Sequence, residues 1–135
     1  VNIIAVSKTF SLEKIKPLFD FGHNHFGENK VQEAKEKWST IRRESSRLQL
    51  HMIGKLQTNK AKEAVELFDY IHSVDNEKLA MKISIEQKNL DKRPKLFIQI
   101  KQKNTLKSLE GILFKIGINL FPSFHNYFSS CSKKS

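Results

Sequence analysis

A chain of 135 residues, 39% hydrophobic and with a mean hydropathy of −0.48, has enough apolar material for one domain with a real core. No window approaches the roughly 20 apolar residues of a membrane span, so no membrane partner is expected, and the single cysteine, Cys131, excludes an internal disulfide and a cysteine-based zinc site. The net charge of +10 raises nucleic acid as a partner, but only Arg42, Arg43, Arg47 and Arg93 among the 24 basic residues carry a guanidinium fork; the lysine excess reads as solvated surface and no nucleic-acid partner is expected.

Five short apolar runs follow one another along the chain: Ile3–Val6, His23–Phe26, Leu50–Ile53, Tyr70–Val74 and Leu96–Ile100. Their starts are spaced by roughly the length of one βα unit. The first run, Ile3-Ile4-Ala5-Val6, reads as a buried strand that stops at Ser7 and Lys8. Ser11 to Phe21 then places Leu12, Ile15, Leu18 and Phe19 on one helical stripe, with Gly22 as the stop. Pro17 removes one helix hydrogen bond, which predicts a kink or a later helix start. Asn29 is placed to cap the second helix, with Gln32 three residues on and Val31, Ala34, Trp38 and Ile41 facing inward. Thr58 or Asn59 is expected to cap a third helix that buries Ala61, Ala64, Val65 and Phe68. Asp75 is expected to cap a fourth that buries Leu79, Ile83 and Leu90.

Alternation of this kind implies α/β architecture with a parallel sheet and right-handed crossovers. Two arrangements satisfy it, an open doubly wound sheet and part of a (β/α)8 barrel. Both place their sites at the carboxyl ends of the strands, where Lys8, Glu28, Asn29, Gly54 and Asp75 fall.

The sequence holds no phosphate loop, no GxGxxG fingerprint and no Gly-x-Ser-x-Gly elbow. His23 and His25 share a strand face near Glu28, but residues of this type beside a turn are more often hydrogen-bonded or exposed than metal ligands, and no metal is expected. Lys8 admits two readings. It is a solvated charge, or it is an amine at a site mouth that attacks aldehydes when neutral, as in pyridoxal phosphate chemistry. From position alone the solvated charge is the commoner case. Asn29 has a full explanation as a helix cap, and His51 one as a hydrogen-bonded core histidine.

The stretch from Lys101 to Ser135 changes character. It carries six lysines against one glutamate, and Phe114, Phe121, Phe124 and Phe128 follow no clear period. We expect residues 1–100 to be the N-terminal part of the domain and residues 101–135 to be a poorly specified or aberrant tail.

The motifs "AVSKTF", "HFGENKVQEAKEK", "LHMIGKLQTNK" and "FDYIHSVD", in this order and spacing, closely resemble the pyridoxal phosphate homeostasis protein family. The resemblance runs from about Ile3 to Ile100 and implies a partial (β/α)8 (TIM) barrel like the N-terminal domain of alanine racemase, here with about five βα units. It implies pyridoxal 5′-phosphate (PLP) as cofactor; a cytoplasmic location is the default expectation from the sequence itself. It implies that Lys8 holds the cofactor as a Schiff base, that Asn29 lies near it, and that His51 belongs to a segment shaping the wall of the site. The family is a non-catalytic carrier or regulator. Racemisation on this barrel requires a tyrosine from an additional domain, and only Tyr70 and Tyr127 are present. The family's later phosphate-binding motifs have no match in Lys101–Ser135, as though the reading frame were lost near Lys101; an inactive or partner-dependent barrel fragment is therefore the alternative. Protein partners are not indicated.

Overall fold

The computed structural model describes residues 2–99. The elements run β1 Ala5–Val6, α1 Leu12–Asp20, β2 His25–Glu28, α2 Val31–Glu44, β3 Gln49–Met52, α3 Ala61–Leu67, β4 Tyr70–Val74, α4 Glu77–Leu90 and β5 Lys95–Ile98. A 3-10 turn, Thr58–Lys60, leads into α3. The expected tail at residues 101–135 lies outside the described residues, as does the end of the fifth apolar run at residue 100.

All strand pairs are parallel, and the order across the sheet is β1-β2-β3-β4-β5. A doubly wound sheet reverses its winding once, at the switch point where it binds ligands. Strictly sequential pairing is instead the winding of a barrel wall. The fold is α/β: among the described residues four βα units and a fifth strand are wound as a partial (β/α)8 barrel, one helix short of the five units expected.

The register assigns side chains to two faces, because residues paired across parallel strands point the same way. Phe26 pairs with Leu50, Met52 with Ile71 and Ile71 with Leu96. This face meets the helices, and Phe26, Leu50, Met52 and Ile71 are all buried there. Trp38 of α2 lies with its ring 4.7 Å from that of Phe26 and is fully buried. Truncating it to alanine would cost about 3–5 kcal/mol, the range for a large aromatic in a core. The opposite, concave face carries Gly27, His51, Tyr70 and Lys95 in one register row.

The buried faces of α2 and α3 are those the helical period predicts: Val31, Ala34, Trp38 and Ile41, then Ala61, Ala64 and Val65, with Phe68 just beyond. In α4, Leu79 and Ile83 are buried and Leu90 is half-buried. In α1 the stripe is narrower than expected, since Ile15 and Phe19 are buried and Leu18 is exposed. Pro17 sits inside α1, which starts at Leu12, so the expected later start does not occur. Gly22 does end the helix. Its φ of +114° lies where a side chain would be strained, and the His23 N–H to Leu18 carbonyl bond at 3.1 Å closes the last turn.

The helix caps differ from the expectation. Lys30, not Asn29, precedes α2, and no side chain caps that helix. Asn76, not Asp75, caps α4, its Oδ1 accepting the Leu79 N–H at 2.9 Å. Thr58 and Asn59 fall inside the 3-10 turn, and α3 starts without a side-chain cap. The α2 and α4 caps each differ from the expected position by a single residue, the usual margin at a helix end.

Candidate functional site at the carboxyl ends of the strands

β1 delivers Lys8 into a turn. The Phe10 N–H donates to the Ser7 carbonyl at 3.1 Å, so Lys8 and Thr9 are the central residues of a four-residue turn. Ser7 continues the strand ladder, its N–H donating to the Gly27 carbonyl at 3.0 Å. Lys8 itself is exposed and makes no hydrogen bond or ion pair among the described residues. It lines a cleft of about 440 Å³ together with Phe10, Leu12, Glu33, Glu36 and Lys37.

Beneath this turn lies a buried charge. Glu28, the last residue of β2, is fully buried. Its Oε1 accepts from Ser7 Oγ at 2.7 Å, from Lys37 Nζ at 2.9 Å and from Trp38 Nε1 at 2.9 Å. Lys37 Nζ also donates to the Ser7 carbonyl at 2.7 Å. A buried carboxylate is tolerated only when paired and hydrogen-bonded in this way. The residue before Lys8 is thus fixed at its N–H, its carbonyl and its hydroxyl. Sequence reasoning placed Glu28 at the strand mouth but missed Lys37. The helical wheel assigns Lys37 to the edge of the inward face, beside Trp38, and that was the available signal.

Asn29 follows Glu28 and is half-buried. It lines a second cleft, of about 510 Å³, with Lys30, Met52, Lys55, Gln57 and Lys60. Lys8 and Asn29 do not share a cleft. The loop after β3 comes close enough to Asn29 that Gly54 is required: a Cβ there would stand 2.3 Å from the Asn29 carbonyl oxygen. This explains why the segment from Leu50 to Lys60 needs a glycine at that point.

His51 lies elsewhere, on the concave face, and is 3% exposed. Its Nε2 is 2.9 Å from His25 Nδ1 and its Nδ1 is 3.0 Å from His72 Nε2. Tyr70 stacks on its ring at 4.1 Å, and Phe97 stacks on His72 at 4.5 Å. The structure therefore joins three histidines from three adjacent strands, where the sequence singled out one. Burial, then the neighbouring His72 and His25 rings, pushes His51 down to about 4 against an opposing pull from Asp69. Burial also lowers His72. Both shifts favour the neutral forms of His51 and His72, and a neutral His51 can donate through one nitrogen and accept through the other. His23, the partner foreseen for His25 on a shared face, instead meets the His25 carbonyl at 2.9 Å.

With this geometry in place, the relatives are informative. No protein-family model matches the chain. The pyridoxal phosphate homeostasis protein of Synechocystis sp. is 39% identical over 101 residues, covering 75% of this chain and 46% of that protein. That of Vibrio cholerae is 39% identical over 103 residues, covering 74% and 43%. PipY of Synechococcus elongatus, solved with PLP bound, is 43% identical with a TM-score of 0.71, covering 77% of this chain and 49% of PipY. An alanine racemase of Clostridium difficile, at 14% identity and a TM-score of 0.64, shares the fold. The chain spans about half the length of the relatives it matches. Over about three quarters of its length the chain is similar to pyridoxal phosphate homeostasis proteins.

Proposed function

We propose that the chain binds PLP at the carboxyl ends of its strands and acts as a carrier or regulator of the cofactor rather than as a catalyst. One observation carries the reading: Lys8 is an exposed amine, without a partner among the described residues, on a turn whose first residue is fixed at three points. PLP supplies an aldehyde that a neutral primary amine attacks, losing water as a carbon–nitrogen double bond forms. The residues fit the aldehyde end of the cofactor, because the amine is free and borders a cleft within the size range of ligand pockets. Asn29 is the second residue proposed near the cofactor, held by the close approach of Gly54. His51 is proposed to contribute less directly. Both of its ring nitrogens are engaged by other histidines, so it shapes the concave face under the site. A solved relative carrying PLP supports the cofactor assignment.

The test is reduction with borohydride after incubation with PLP, followed by peptide mapping. We expect the label on Lys8 and its loss in Lys8→Ala. No trapped adduct on Lys8 would overturn the reading and favour an inactive or partner-dependent fragment. An assay with alanine enantiomers should show no racemisation, and turnover there would replace the carrier reading with an enzymatic one.

A further inference from the structure

Two amines border the cleft beside the β1–α1 turn, Lys8 and Lys37. They are held very differently. Lys37 is tethered at both Ser7 O and Glu28 Oε1, and its side chain is only 12% exposed. Lys8 is exposed and has no partner among the described residues. The other carboxylates of the cleft do not hold Lys37: Glu33 accepts from Lys30 and Glu36 from Gln32.

We infer that Glu28 selects which of these two amines meets an aldehyde. A lysine nitrogen that donates to two oxygens held in place is tethered away from the cleft, and its donor hydrogens are directed at those oxygens. Glu28 can impose this because it is itself immobile, fully buried and held by Ser7 Oγ and Trp38 Nε1. The same contacts make Lys37 a positioning residue, since it grips the carbonyl of the residue preceding Lys8. Glu28 thus silences one lysine and steadies the backbone under the other. The covalent step is ordinary condensation: the neutral Lys8 nitrogen adds to the aldehyde carbon, the aldehyde oxygen departs as water, and a carbon–nitrogen double bond remains. The inference rests on the proposal that Lys8 takes the aldehyde of PLP. An ion pair that only stabilised the fold would leave the position of the adduct unchanged when its charge was removed.

The experiment uses the full chain, PLP at equimolar concentration, borohydride reduction and site-resolved mass spectrometry. In Lys8→Ala, where Glu28 is intact, Lys37 should stay unlabelled although it borders the same cleft. In Glu28→Gln, which keeps an acceptor oxygen but loses the charge, the share of label on Lys37 should rise about ten-fold. The double variant Lys8→Ala/Glu28→Gln should carry its label on Lys37. Labelling of Lys37 in Lys8→Ala overturns the inference, as does an unchanged distribution in a Glu28→Gln protein that melts cooperatively. If Glu28→Gln does not fold, the Lys8→Ala arm decides alone. If the unmodified chain shows no label on Lys8, the proposed cofactor site fails first and the inference falls with it.

Discussion

The two ends of the sheet are built to opposite specifications. At the amino ends of β3, β4 and β5, one clamp joins groups from several elements. Asp69 receives both terminal nitrogens of Arg42, at 2.7 and 2.6 Å, and the Leu50 N–H at 2.8 Å. Arg42 also donates to the Leu48 carbonyl, and the Asp69 carbonyl accepts the Lys95 N–H. At the carboxyl ends, Lys8 stands on a turn without a partner among the described residues, and Asn29 borders a cleft. In a barrel wall the amino end carries stability and the carboxyl end carries chemistry. Here the difference appears as a clamp of paired groups at one end and, above the paired Glu28 cluster, a lysine without a partner among the described residues at the other.

The largest effect that would sharpen this contrast comes from removing the clamp. Asp69→Ala strips both Arg42 bonds and the Leu50 partner, and should cost about 3 kcal/mol for a partly buried pair. Lys8→Ala should change stability by less than about 0.5 kcal/mol. Chemical denaturation measures both, and trapping with PLP supplies the second axis. Asp69→Ala should still label Lys8 at temperatures where it remains folded. If Asp69→Ala loses its adduct while folded, or Lys8→Ala is the more destabilised of the two, the division between the ends is wrong.

That division was half legible in the sequence. Apolar runs about one βα unit apart disclosed the strands, and helical periodicity disclosed the buried faces of α2 and α3, because burial repeats with the geometry of the element. Lys8 and Glu28 were placed at the functional end from strand position alone. Pairings between elements were not legible. Lys37 meets Glu28 across a strand–helix interface, and Arg42 meets Asp69 from 27 residues away. No one-dimensional period encodes a contact that depends on how two elements pack. The histidine chain is an intermediate case. His25, His51 and His72 fall on three successive strands, and their shared face follows once the register Gly27↔His51 and His51↔Tyr70 is known. The register was the missing piece, since slipping one strand by a residue would send its histidine to the other face.

Between the two ends, that histidine chain makes a prediction about acid. His51 is held at about 4, below its ordinary 6.5. The folded state therefore prefers the neutral ring, and the unfolded chain binds the proton more readily. Stability from this site is fully present above pH 6.5 and drains away as pH falls from 6.5 toward 4. The loss should reach about 2 kcal/mol after allowance for relaxation and water entry. His72, also lowered, adds in the same direction. Denaturant midpoints across that window measure the effect, and His51→Gln should flatten it. A stability that is level from pH 6.5 to 4, or that rises on acidification, contradicts the lowered values of His51 and His72.

The smallest effect lies within the carboxyl end and asks whether that end is uniformly loose. Asn76 caps α4 with a 2.9 Å bond to the Leu79 N–H. Ser11 occupies the same position before α1 but makes no side-chain cap bond. The two residues are both good cap types, and only the geometry separates them. Asn76→Ala should therefore cost about 1 kcal/mol, whereas Ser11→Ala should stay within about 0.5 kcal/mol. Asn76→Ser should recover most of the loss by restoring an acceptor oxygen. Equal losses at both positions would mean that α1 acquires its cap in solution. The turn bearing Lys8 would then be more firmly anchored on its helix side than its hydrogen bonds indicate, and the freedom assigned to the reactive amine would have to come from the lysine side chain alone.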